Sequence, residues 1–209
     1  MVAIYSTFLQ RAIDQIMHDV CIANLPVVFC VDRAGIVGAD GVTHQGIFDL
    51  AMLRCLPNLT ICQPKDEEDL EELLEEAMRR NGPTVIRYPR GKVVHANGQY
   101  VPKKGSKVAI WTTGDWYGKA CAIADRIGAE VVHARYLKPL DVELLARQVA
   151  EGMRIVSLEN GVVSGGLGEA IGADVKFGWP DRFVPQGSIE ELEKSHGLDV
   201  DSIVAALGG

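Results

Sequence analysis

A chain of 209 residues, 47% of them hydrophobic, is long enough to bury a sizeable core in one or two domains, which excludes a disordered chain. Its net charge of -7 argues against nucleic acid or an anionic membrane as the main partner, so any anionic ligand must be held by local arginines. Five cysteines without a C-x-x-C pair, and no apolar run of membrane-spanning length, lead us to expect a soluble, cytoplasmic chain with reduced thiols and neither zinc nor disulfides.

Val2-Ala3-Ile4-Tyr5-Ser6 reads as a strand. Thr7, with Gln10 three positions on, offers a capping box for a helix whose apolar period runs through Leu9, Ala12 or Ile13, Ile16 and Val20. Phe8 and Arg11 lie one turn apart at its start. An aromatic and a cation so placed can cradle a ring and hydrogen-bond it, while the plainer reading in isolation is a core Phe8 and a solvated Arg11.

Val27-Val28-Phe29-Cys30-Val31 is a buried, parallel-type strand that ends abruptly in charge. The loop after it, Asp32 to Gly46, carries four glycines in fifteen residues, which allow positive φ and close backbone approach. Arg33, Asp40 and His44 therefore sit at a strand's carboxyl end, where open α/β sheets bind ligands. Taken alone, the same loop also reads as an ordinary turn reversed by Asp40-Gly41.

Ile47 to Arg54 suggests a short helix and Leu59-Thr60-Ile61-Cys62 a third strand. Asp66 to Arg80 reads as a helix with an acidic start, a basic end and a solvated charged face, stopped by Asn81-Gly82 with a left-handed residue past its end. Thr84 to Tyr88 is a fourth strand leading to Pro89-Arg90-Gly91, which places Arg33 and Arg90 to converge on one anion.

Lys92 to Lys107 is polar and aperiodic, and reads as a linker. The alternation then restarts. Val108 to Thr112 is a strand, Tyr117 to Ile127 a helix ended by Gly128, Val131 to Ala134 a strand, and an Asp141-capped helix runs through Ala150. Arg154 to Glu159 is a further strand, followed by a glycine-rich turn, Asn160 to Gly168, into a helix. A dinucleotide site is discounted there, because the G-x-G-x-x-G spacing is absent. Ser188 with Glu191 forms another capping box, and Asp199 caps the last helix.

Three segments, YSTFLQRAIDQ at Tyr5 to Gln15, DRAGIVGADGVTHQG at Asp32 to Gly46 and RYPRG at Arg87 to Gly91, closely resemble the 1-deoxy-D-xylulose-5-phosphate synthase family of the transketolase superfamily. ARYLKPLD at Ala134 to Asp141, ENGVVSGGLGE at Glu159 to Glu169 and DRFVPQG at Asp181 to Gly187 resemble the same family's carboxyl-terminal domain.

The resemblance implies an α/β fold: the parallel-sheet later half of a pyrimidine-binding domain at 1–92, a linker at 93–105, and a smaller transketolase C-terminal domain at 106–209. It also implies a thiamine-diphosphate transferase that condenses pyruvate with glyceraldehyde 3-phosphate, losing carbon dioxide, in isoprenoid synthesis. Phe8 and Arg11 would meet the cofactor's aminopyrimidine ring. Tyr5, Arg33 and Arg90 would hold the acceptor phosphate, and Asp40 and His44 would face the acceptor's hydroxyl and carbonyl.

That assignment agrees with the chemistry, since guanidinium forks suit phosphate and a carbonyl under attack needs a proton donor without a permanent charge. The family's diphosphate and magnesium site and its activating glutamate lie upstream of the first motif. The chain is therefore expected to be the back part of the enzyme, holding no metal itself and working with the front portion or a companion subunit, as a homodimer. Two other readings are a non-catalytic assembly module of the same fold and another transketolase-like carboligase.

Overall fold

A computed structural model describes residues 1–91 and 105–208, in which strands alternate with helices through most of the chain. Strands β1 (Val2–Tyr5), β2 (Val28–Asp32), β3 (Thr60–Cys62) and β4 (Thr84–Arg87) form a parallel sheet in the order β1-β2-β4-β3. All four residues of β4 are buried, as expected of a strand covered on both faces. The alternation of side chains sends Phe29, Val31, Ile61 and Val85 into one core cluster and Val28, Cys62 and Ile86 into another.

The second half builds its own parallel sheet from β5 (Val108–Thr112), β6 (Glu130–His133), β8 (Arg154–Val162) and β9 (Val175–Trp179), in the order β6-β5-β8-β9. The strand β9 had no counterpart in the sequence reading. Neither had β7 (Tyr136–Lys138), which leaves the second half to pair antiparallel with β3, Ile61 opposite Lys138 and Cys62 opposite Tyr136. The first sheet thus borrows its last strand. The two halves also share apolar cores: Leu9, Val31 and Ile61 cluster with Trp111, Leu137 and Ile155, and Ile36 and Ile47 with Ile110 and Trp179.

Helices cover both sheets. The first begins as α1 (Ser6–Leu9), tightens to a 3-10 turn at Gln10–Ala12, continues as α2 (Ile13–Gln15) and widens to π geometry at Ile16–Cys21. The expected capping box is not formed. Helix α1 starts two residues earlier than expected, and the Thr7 hydroxyl donates instead to the Thr43 carbonyl at 2.7 Å, tying the helix to the loop after β2.

Helix α3 (Asp49–Leu53) precedes β3, and α4 (Glu67–Arg79) is capped by Asp66, whose side chain accepts from the Asp69 N–H. The left-handed residue expected after α4 is absent, since Arg80 turns extended at φ -72, ψ 137. Nor is the charged face of α4 merely solvated. Its Asp69, Glu72 and Glu76 take the three guanidinium nitrogens of Arg135, just before β7, which fixes the second half against the first.

In the second half, α5 (Tyr117–Ile127) ends at left-handed Gly128, and α6 (Val142–Ala150) is capped by Asp141 as expected. Strand β8 runs three residues past the predicted end, then enters α7 (Leu167–Ala170). Ser188 and Glu191 complete their capping box on α8 (Ile189–Ser195), and Asp199 caps α9 (Val200–Leu207). All five cysteines are free thiols. The linker expected at 93–105 lies outside the described residues apart from Gly105.

Candidate active site

Three parallel strands end at one rim. Strand β1 delivers Tyr5 and then Phe8 on α1; β2 ends at Asp32 and turns into Arg33; β4 ends at Arg87, three residues before Arg90. Arg33 adopts a left-handed conformation, φ 56, that costs a non-glycine residue of order 1–3 kcal/mol and is characteristic of ligand sites. The Asp32 carboxylate, accepting from the Arg33 N–H at 2.7 Å, helps hold it there.

The loop from Arg33 to Gly46 is closed at its base by reciprocal backbone hydrogen bonds between Gly35 and Gly46, at 2.7 and 2.8 Å. A Cβ on Gly46 would stand 2.1 Å from the Arg33 carbonyl oxygen, so the closure requires glycine. Inside the loop, buried Gln45 accepts the N–H groups of Val37 and Gly38 at 2.9 and 3.1 Å and donates to the Pro185 carbonyl of the second half. The sequence reading missed Gln45, because nothing local marks it.

All seven residues singled out from the sequence come together in one chain of contacts. Arg90 and Arg33 both reach the same oxygen of Asp40, at 2.7 and 3.4 Å. The Arg33 guanidinium lies 4.0 Å from the centroid of the Tyr5 ring, Tyr5 stacks on Phe8 at 5.7 Å, and Phe8 meets His44 edge-to-face at 5.7 Å. Arg11 lies 5.5 Å from the Phe8 centroid. Phe8 is 37% exposed, so the reading of it as core is overturned. The Nδ1 of His44 shares a hydrogen bond of 2.9 Å with the Thr43 hydroxyl.

A cavity of about 390 Å³ opens beside Arg33 and Arg90 at the ends of the same strands. Pro64, Leu70 and Tyr88 wall it, and Lys65 and Asp115 bring charge to it. Among the described residues, no group of His, Cys, Asp and Glu is placed to hold a metal ion.

Beneath the rim lies a buried polar junction that the sequence reading also missed. Fully buried Arg87 donates through Nε and Nη2 to both oxygens of buried Asp49, each at 3.0 Å, through Nη1 to Gln63, and through Nη2 to the Asn160 carbonyl at 3.4 Å. Gln63 donates to Asp115 at 2.7 Å. Burial works against the charge of Arg87, yet Asp49, Asp115 and Glu159 together hold its pKa above the ordinary value. Burial likewise pushes up the Asp115 carboxyl, against Arg87 and its hydrogen-bond donors.

Glu159, fully buried, accepts the N–H groups of Leu167 and Gly168 at 2.7 and 2.8 Å, and burial pushes its pKa up to about 7. The available signal was a charge within or at the end of an apolar strand, as at Arg87 and Glu159, since such a charge needs a partner.

The family models "Transketolase, pyrimidine binding domain" and "Transketolase, C-terminal domain" match residues 1–94 and 98–203. A 1-deoxy-D-xylulose-5-phosphate synthase of Thioalkalivibrio sulfidiphilus is 44% identical over 99% of this chain, and one of Vibrio campbellii 42% identical over 97%. The chain spans 36% of the length of these relatives.

Among solved structures, a split-gene transketolase described as an inactive β4 tetramer superposes with a TM-score of 0.82 at 29% identity, covering 98% of this chain and 74% of that one. Campylobacter jejuni transketolase superposes at 0.84 with 17% identity over 98% of this chain and 34% of its own, a likeness of fold alone. With two domain models meeting nearly end to end on strands whose rim gathers the motif residues, this chain belongs to the transketolase family and carries its pyrimidine-binding and C-terminal domains.

Proposed function

We propose that this chain supplies the acceptor-binding side of a thiamine-diphosphate transferase that condenses pyruvate with glyceraldehyde 3-phosphate to 1-deoxy-D-xylulose 5-phosphate, with loss of carbon dioxide. Residues 1–92 would form the later part of the pyrimidine-binding domain and 106–209 the C-terminal domain, joined by 93–105. The rest of the site, with its magnesium and diphosphate ligands, would come from residues outside this chain. The complete enzyme is read as cytoplasmic and dimeric; no helix among the described residues is long and apolar enough to cross a membrane.

The observation that carries this reading is two guanidiniums sharing one Asp40 oxygen. A carboxylate there marks a place suited to an anion, and a phosphate with its greater charge and three acceptor oxygens competes for the same donors. Arg33 and Arg90, with Tyr5 beside Arg33, would take the acceptor phosphate and release Asp40 to accept the acceptor's hydroxyl. His44, oriented by Thr43 at Nδ1, would give a proton from Nε2 to the acceptor's carbonyl oxygen as the new bond forms. Phe8, exposed and flanked by Arg11, has the chemistry to seat a flat heteroaromatic ring. When bound, thiamine diphosphate would supply the carbon nucleophile.

The test is carbon–carbon bond formation from pyruvate with phosphorylated and unphosphorylated glyceraldehyde, using this chain with the family's front portion supplied in trans. Product that depends on both polypeptides and favours the phosphorylated acceptor supports the reading; turnover only with a ketose donor points to a different carboligase. A second reading, a non-catalytic assembly module, is favoured by the likeness to the inactive β4 tetramer. Self-association in sedimentation, with no product when the front portion is added, would establish it instead.

A further inference from the structure

Asn160 lies on β8 in the second half of the chain, yet its side chain closes on the loop that carries Arg33, Asp40 and His44. Its Oδ1 accepts from the Ile36 N–H at 3.0 Å and from the Trp179 indole N–H at 2.8 Å, and its Nδ2 donates to Asp115 Oδ2 at 2.6 Å. An indole nitrogen only donates and a carboxylate oxygen only accepts, so this amide has one possible orientation. The approach is close: a Cβ on Gly35 would stand 2.3 Å from Nδ2.

The Asn160 carbonyl also accepts from Arg87 at 3.4 Å. A single residue therefore touches the root of each arm of the clasp, at Ile36 just past Arg33 and at Arg87 just before Arg90.

We propose that Asn160, itself held by Asp115 and Trp179, is a positioning residue that sets the geometry of the Arg33–Asp40–Arg90 clasp from the C-terminal domain. Its consequence for phosphate affinity rests on the function proposed above; its effect on the loop does not. If Asn160 served only to pack the two halves together, its loss would loosen the chain throughout rather than at this loop.

The charge-swapped pair separates these cases. Asn160→Asp alone sets a second carboxylate against Asp115, and the two must share a proton or part. Adding Asp115→Asn restores every contact: the oxygen at 115 still accepts from Gln63 and Thr113, the nitrogen at 115 donates to the carboxylate at 160, and Ile36 and Trp179 keep their acceptor.

Amide hydrogen exchange of the full chain, read over peptides spanning 33–46 and 108–112, is measured alongside calorimetric titration with inorganic phosphate. Exchange in 33–46 is expected to rise about tenfold in Asn160→Asp with 108–112 unchanged, the size of effect given by one lost buried hydrogen bond, and to return to wild type in the double variant. Phosphate affinity should fall and recover in parallel. Exchange in 33–46 that does not change in the single variant, rises equally in 108–112, or is not restored in the double variant overturns the positioning role. Should the single variant fail to fold, Asn160→Ser, too short to reach Ile36, is compared in its place: exchange raised at 33–46 alone supports the role, and exchange unchanged there or raised equally at 108–112 overturns it. The expected exchange pattern in a chain that takes up no phosphate keeps the positioning role and overturns the phosphate reading instead.

Discussion

Arg87 and Arg90 lie three residues apart and each pairs with one aspartate, but they live in different physics. Arg87 is fully buried and grips both oxygens of Asp49, with Gln63 and the Asn160 carbonyl accepting two further N–H groups. Arg90 has a side chain 49% exposed and, among the described residues, an ion pair to one Asp40 oxygen that Arg33 also uses. A desolvated guanidinium with all three nitrogens engaged cannot be lent to a ligand without leaving buried charge unpaired. A guanidinium at a wet rim exchanges one anion for another at little cost. Strand β4 therefore anchors itself with one arginine and presents the other.

The largest expected effect falls on the anchor. Asp49→Ala strands the Arg87 guanidinium in the interior and should lower stability by roughly 3–5 kcal/mol in urea denaturation, whereas replacing both partners with apolar residues of similar volume should recover most of that. A loss below about 1 kcal/mol would erase the contrast between the two arginines.

Next comes Glu159 in the same buried layer, whose carboxyl shifts from 4.5 to about 7 on burial. Because the folded chain binds this proton more tightly than the unfolded one, its contribution to stability is full below about 4.5 and is lost as pH rises through about 7. The shift corresponds to roughly 3 kcal/mol across that window. Urea midpoints measured from pH 4.5 to 7.5 should fall less steeply for Glu159→Gln than for wild type, and parallel curves would remove Glu159 as the cause.

At the rim the expected effects move from stability to binding. In the complete enzyme, Arg90→Ala should cut kcat/KM for the phosphorylated acceptor by about ten- to a hundredfold, from the loss of a charge-assisted hydrogen bond of about 1.5–3 kcal/mol, with carbon dioxide release from pyruvate little changed. An equal loss with unphosphorylated glyceraldehyde would remove Arg90 from the phosphate site. The smallest effect expected is on the folding of that same variant. An exposed ion pair contributes about 0–1 kcal/mol, so the urea midpoint of Arg90→Ala should stay close to wild type, and a shift as large as that of Asp49→Ala would mean that the rim is structural after all.

The amino-acid sequence by itself determined the strand-helix alternation, the caps at Asp141, Ser188 and Asp199, and the placement of Phe8, Arg11, Arg33, Asp40, His44 and Arg90 at strand ends, while Tyr5 joined them only through the family resemblance. Those features depend on side-chain period, on hydrogen bonds spanning a single turn, and on the rule that parallel strands present their carboxyl ends on one side.

Tertiary structure alone decided that β7 crosses to the first sheet, that Thr7 bonds Thr43 rather than capping its helix, and that Asn160 reaches Ile36 from 124 residues away. Each is a choice among partners that are chemically equivalent in the sequence. A short strand pairs with whichever edge the packed core brings near, a hydroxyl donates to a carbonyl the fold brings close instead of accepting an N–H of its own helix, and an amide is satisfied by any buried donor and acceptor at the right distance. Such choices are settled by the packing of the two halves, which no local window of residues contains.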